Sequence, residues 1–284
     1  MRKVKISAVQ FKLRKIKHFT DFENHVTGCL EGVADSDFVI FPELFTMELL
    51  STIENSNALS IKDFKNVSRY TDKYLKLFSR ISSEVGQYII AGSHLVEDNG
   101  RFFNTSFMFQ PNGEFVAHRK THVFPMERKW DTSEGDDLQV VKTDKANVGI
   151  SICYENQVPE VSRILTLKGA EIIFCPSWTL NEYGFWRVRN SCQARCIENQ
   201  IYMTHCSLVG SLDILDLKGW GNASVLTPCH EPWKPNGVLE SGEPNREMSI
   251  TAEVDVDELH ANREKGDATP HMDRVRRSDM YKRY

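Results

Sequence analysis

No apolar run in these 284 residues approaches the roughly 18–20 that a membrane helix needs, so a helical membrane span is not expected. Positive charge is not in excess either: 35 lysines and arginines face 39 aspartates and glutamates, for a formal net charge of −4. That balance argues against a surface built for nucleic-acid phosphates. The one basic cluster, RVRR at 274–277 with KR at 282–283, reads as a solvated tail. The opening MRKVKISAVQF lacks the apolar core and small-residue cleavage site of a secretory leader. Paired cysteines are missing too. The seven cysteines are odd in number and none has the short paired spacing of a zinc site, and Cys192 and Cys196 read as one face of a helix. Free thiols without a leader point to a reducing cytoplasm. With no internal repeat or low-complexity linker, residues 1–260 are expected to form a single domain, and 261–284 a tail.

What the chain does have is alternating strand and helix signals. KVKISAVQF (3–11), DFVIFPE (37–43), QYIIAGSHL (87–95), EIIFCPS (171–177) and IYMTHCSLVG (201–210) read as strands. Residues 21–35, 60–86, 159–170 and 184–199 carry helical spacing, with Pro159 suited to a first turn and Gly86 and Gly169 to helix ends. PNG at 111–113 joins RFFNTSFMFQ to EFVAHRKTHVF as a hairpin, and DKAN joins LQVVKT to VGISIC as a second. Strands SVLTP and SITAEVDV close the sheet region. Such mixed strands, with helices between them, imply helices layered outside sheets.

Two of these strands end in reactive groups, Glu43 after DFVIFP and Cys153 after VGISI. Sites gather beyond the carboxyl ends of parallel strands. A cysteine there is either core packing or a nucleophile, and a nucleophile needs a base or cation nearby. His94, His118, His122 and His205 lie in no recognisable protease-like setting around the thiol, and His205, inside an apolar strand, reads as core.

Three blocks, FPELF (41–45), HRKTHVFP (118–125) and GISICYENQVPE (149–160), resemble in order and separation the carbon–nitrogen hydrolases of the nitrilase superfamily. CPSWT (175–179), QARCIENQIY (193–202) and DRVRRSDMY near the end extend the likeness along almost the whole chain. It is closest to amidase-like members associated with an acetyltransferase domain, a domain these residues do not include. The resemblance implies an α/β fold, a four-layer α-β-β-α sandwich of two mixed β-sheets flanked by helices. It implies Glu43 as base, Lys120 as the triad lysine and Cys153 as nucleophile, with Glu127 a further acid beside the lysine. Tyr154, through its backbone N–H, and Trp178 are expected at the substrate.

On this reading a small linear amide or N-carbamoyl amine is hydrolysed through a thioester, with no metal or organic cofactor. A nitrile substrate and a non-catalytic scaffold of the same fold are the alternatives. The protein is expected to partner neither nucleic acid nor membrane, and to form a homodimer or larger homo-oligomer, with the tail at the interface. Loops 127–137, 178–186 and 211–222 are expected to set the substrate.

Overall fold

The computed structural model describes residues 1–283. Side chains alternate between the two faces of a strand, and here both faces are apolar. Val4, Ile6 and Ala8 enter one core cluster and Val9 the other, within the strand Lys3–Gln10. Phe38 and Ile40 are likewise set against Val39 and Phe41, and Tyr88 and Ile90 against Ile89 and Ala91. A sheet apolar on both faces must be covered on both.

On one side lie the helices Phe19–Glu31 and Thr71–Val85, which contribute Phe22, Val26, Leu30, Tyr74 and Phe78. On the other lies a second sheet, and the Phe38 and Phe174 rings meet across the interface with centroids 5.4 Å apart. The helices Pro159–Leu167 and Glu182–Asn199 cover that second sheet through Val161, Leu165, Val188, Cys192 and Cys196. The result is the expected α-β-β-α sandwich.

The first sheet has eight strands, with Lys3–Gln10, Phe38–Ile40 and Tyr88–Ile90 running parallel at its centre. The second has six, with Asn147–Ile150, Ile172–Ser177 and Tyr202–Ser207 parallel. The carboxyl ends of these two parallel sets carry Glu43, Cys153 and Trp178.

Several local expectations need correction. The segment 87–95 is two strands, Tyr88–Ile90 and His94–Asp98, because Gly92 turns the chain at φ +59, where a Cβ would stand 2.1 Å from the Pro42 carbonyl oxygen. The segment 60–86 begins as a 3-10 helix, Ile61–Tyr70, before its α-helix. Residues 201–210 likewise divide into Tyr202–Ser207 and Val209–Leu212. A third, small sheet of Lys12–Leu13, Val209–Leu212 and Leu217–Gly219 was not foreseen, since strands of two to four residues are too short to show a periodicity. The chain after 255 is helical at Val256–Lys265, Pro270–Arg276 and Ser278–Tyr281. Among the described residues no helix is long and apolar enough to cross a membrane.

Candidate active site

The ladder of Asn147–Ile150 stops three residues short of Cys153, which the VGISIC pattern had suggested would end the strand. Cys153 instead opens a 3-10 turn with φ +48, a left-handed conformation that a side chain adopts only when its surroundings impose it. Glu155 imposes it. This fully buried carboxylate accepts from Ile152 N at 2.5 Å, Thr121 N at 2.7 Å, Thr121 Oγ1 at 2.6 Å and His118 Nε2 at 2.9 Å. It thereby ties the cysteine turn to the segment that carries Lys120. Burial alone would raise the Glu155 carboxyl, but His118 and the Thr121 donors outweigh it and hold the group below its ordinary value.

The Glu43 turn is fixed as tightly. Leu44 N donates to Ser93 Oγ at 2.9 Å, and Ser93 N donates to Pro42 O at 3.3 Å, a contact that the bare Gly92 allows. Lys120 follows the strand Phe115–Arg119, held by its own N–H to Asn104 O at 2.8 Å and by Gly135 N donating to its carbonyl at 2.8 Å. Its side chain is 1% exposed, and Nζ stands 2.6 Å from Glu43 Oε1 and 2.5 Å from Glu127 Oε2. Asn104 Nδ2 donates to both acids, at 2.9 Å to Glu43 and 2.8 Å to Glu127. Trp178 N donates to the other Glu43 oxygen at 2.9 Å, and Phe124 N to Glu127 at 2.8 Å. The Cys153 thiol points at the Trp178 carbonyl, 3.8 Å away, and feels the charges of both Glu43 and Lys120.

The electrostatics follow from two carboxylates sharing one buried ammonium. Burial and the charge of Glu127 push the Glu43 carboxyl above its ordinary range, against the pull of Lys120. Burial works to lower Lys120, yet Glu127 and Glu43 outweigh it and raise the ammonium above its ordinary value. Burial and the charge of Glu43 push the Cys153 thiol well up, with Lys120 opposing. The sulfur therefore rests as a thiol beside a potential base, not as a free thiolate.

Glu43, Lys120, Glu127, Cys153, Tyr154 and Trp178 all line one cavity of about 210 Å³. Leu44, Phe124, Met126, Trp130, Leu180 and Val188 make most of it apolar, while Gln157, Asn181 and Arg187 add polar ends. Sequence reasoning missed Asn104 and the anchoring role of Glu155. An asparagine buried with Thr105 and Ser106 among the aromatic residues of RFFNTSFMF was the available signal for the first. Residues 211–222 do not line the cavity. They sit behind Trp178, where Lys218 O accepts from Trp178 Nε1 at 2.7 Å.

The family model for carbon-nitrogen hydrolases matches residues 9–263. The chain belongs to this family. It is 35% identical over 98% of its length to the probable hydrolase YhcX of Bacillus subtilis, of which it spans only 54%. With the omega-amidase NIT2-A of Xenopus laevis it shares 29% identity over 99% of this chain and 98% of that protein. Its fold resembles that of the carbon-nitrogen hydrolase from Helicobacter pylori G27, with a TM-score of 0.79 at 20% identity, covering 99% of this chain and 97% of that one.

Proposed function

We propose that this protein is a cysteine-dependent amidase that hydrolyses small linear amides or N-carbamoyl amines. The observation that carries the reading is Lys120 Nζ, buried between Glu43 and Glu127 beside the Cys153 thiol at an apolar cavity. In the first half-reaction Glu43 accepts the thiol proton as sulfur attacks the amide carbon, and returns it to the leaving nitrogen. Lys120 Nζ and the Tyr154 backbone N–H stabilise the tetrahedral oxyanion, a donor of this kind being worth about 2.7–4 kcal/mol of barrier. Ammonia or an amine leaves, and a thioester remains on Cys153. Water deprotonated by Glu43 then attacks the thioester and releases the carboxylic acid and the thiol. Glu127 and Asn104 hold Lys120 and Glu43 in register.

Amide is preferred to nitrile because the matched relatives include proteins named as amidases. Arg187, on the cavity wall, suits a substrate with an anionic far end, such as a linear ω-amide acid. We place the protein in the cytoplasm as a homodimer or larger homo-oligomer, with residues 261–284 near the interface.

Ammonia release from a panel of ω-amide acids, neutral amides, carbamoyl amines and nitriles, with Cys153→Ala as control, tests the reading. Cys153 should also react with iodoacetamide in competition with the exposed Cys229 and half-buried Cys29. Intact mass should reveal an acyl adduct on Cys153 during turnover. Inertness toward the whole panel, with only Cys229 and Cys29 labelled, overturns the reading in favour of a non-catalytic scaffold. Turnover of nitriles alone reassigns the substrate.

A further inference from the structure

Away from the cavity, one cluster combines an imidazole, a thiol and a carboxylate. His25 and Cys29 are four residues apart on the helix Phe19–Glu31, so they share a face. Glu247, just before the strand Met248–Asp255, comes to meet them. One ligand atom from each of the three lies within 4.8 Å of the others, on the wall of an open cleft of about 530 Å³. A tetrahedral zinc ion, with bonds of about 2.0–2.3 Å to such donors, sets them roughly 3.3–3.8 Å apart. The spacing is therefore within a small side-chain adjustment of what a metal needs. His25 Nε2 and Glu247 Oε1, now 2.5 Å apart, share a proton where the ion would sit.

A second observation lies behind the ring. Glu48 is fully buried, and its Oε1 has no hydrogen-bond partner among the described residues. That atom is 3.5 Å from His25 Nδ1. Metal-bound histidines commonly donate their other ring N–H to a carboxylate, which fixes the tautomer. Glu48 occupies that position.

We propose that His25, Cys29 and Glu247 form a binding site for a zinc-type divalent cation, with Glu48 orienting the ring and water completing the coordination. The nitrogen–thiolate–carboxylate set favours zinc over magnesium or calcium, which prefer oxygen alone. Binding releases the Cys29 thiol proton, while the His25 proton leaves Nε2 for Nδ1, which gives up its bond from Arg14 and turns its new N–H to Glu48. Arg14, exposed and with Nε 2.8 Å from Nδ1, swings out to allow this. The ion would clamp the outer helix Phe19–Glu31 to the chain entering Met248–Asp255. The site is independent of the proposed catalysis.

The test uses the full chain, stripped with chelator, carrying Cys153→Ser so that the cavity thiol does not capture metal. Zinc chloride titrated calorimetrically should bind at one equivalent and raise Tm, and cobalt(II) should give a thiolate-to-cobalt charge-transfer band in the near ultraviolet. Cys29→Ser should remove the band, and Glu48→Gln should weaken binding about 10–100-fold. Circular dichroism of the metal-free variants checks that they fold, and hydrolysis in an otherwise native Cys29→Ser chain should persist. Absence of stoichiometric binding, or a cobalt band retained in Cys29→Ser, overturns the site.

Discussion

Replacing Glu155 by Gln probes the turn that sets the cysteine without touching the cavity. The carboxylate accepts four hydrogen bonds from Ile152, Thr121 and His118, all from donors. An amide keeps one accepting oxygen and turns an NH₂ toward donors that have no lone pair to offer. Removing one member of a buried ion pair costs about 3–5 kcal/mol. At roughly 2–4 °C per kcal/mol for a domain of this size, Tm should fall by about 6–20 °C. The pH dependence has a defined sign. The folded Glu155 pKa lies below the ordinary value of 4.5, so its contribution is fully present above 4.5 and is lost as pH falls through the folded value. The Tm curves of wild type and Glu155→Gln, followed by scanning calorimetry, should therefore converge as pH drops below 4.5. Because Glu155 ties the Cys153 turn to Thr121, next to Lys120, iodoacetamide labelling of Cys153 should slow as well. A variant within about 2 °C of wild type at neutral pH and labelled at the native rate would refute the anchoring argument.

Asn104→Leu removes a donor that favours ionised Glu43, so the acid limb of kcat/KM should move to higher pH. Glu127→Gln removes the charge that helps hold the Glu43 carboxyl up, so the same limb should move to lower pH while kcat falls. If both limbs shift the same way, the assignment of Glu43 as the titrating base fails. Lys120→Met leaves two buried carboxylates without their cation and should lower stability by about 3–5 kcal/mol by urea titration, with hydrolysis abolished. Arg187→Met should raise KM about 10–150-fold for ω-amide acids, the equivalent of about 1.5–3 kcal/mol for a charged hydrogen bond, and leave neutral amides unaffected. A uniform loss across both substrate classes would remove Arg187 from recognition.

The layered fold was legible because long strands with two apolar faces leave a plain pattern. Phe38/Ile40 against Val39/Phe41 already says that both sides of that strand are covered. Glu43 and Cys153 were legible as reactive groups just past apolar runs, whereas Lys120 and Glu127 were legible only through the resemblance of their blocks to the family. What was not legible depends on contacts between distant segments. Asn104 reaches Glu43 across 61 residues and Glu155 reaches His118 across 37, and no periodicity encodes either pairing. Gly92 splits a strand that reads as continuous, because the reason for the break is the Pro42 carbonyl pressed against it from another part of the chain.

The second acid in the site has a physical consequence beyond placing the lysine. With one carboxylate, a buried ammonium would have more of its positive charge to offer the sulfur, but Glu43 would be a weaker acceptor for the thiol proton. With two, the charge of Lys120 is already divided between Glu43 and Glu127, and burial then keeps the Cys153 thiol protonated. A resting thiol is a poor target for oxidants. In the proposed mechanism the proton moves only as the sulfur bonds to carbon. At that moment negative charge leaves the neighbourhood of Glu43 and appears on the substrate oxygen, toward which Lys120 can turn its field. On this argument Glu127 raises the proton affinity of Glu43 and so readies it to take the thiol proton as substrate is attacked.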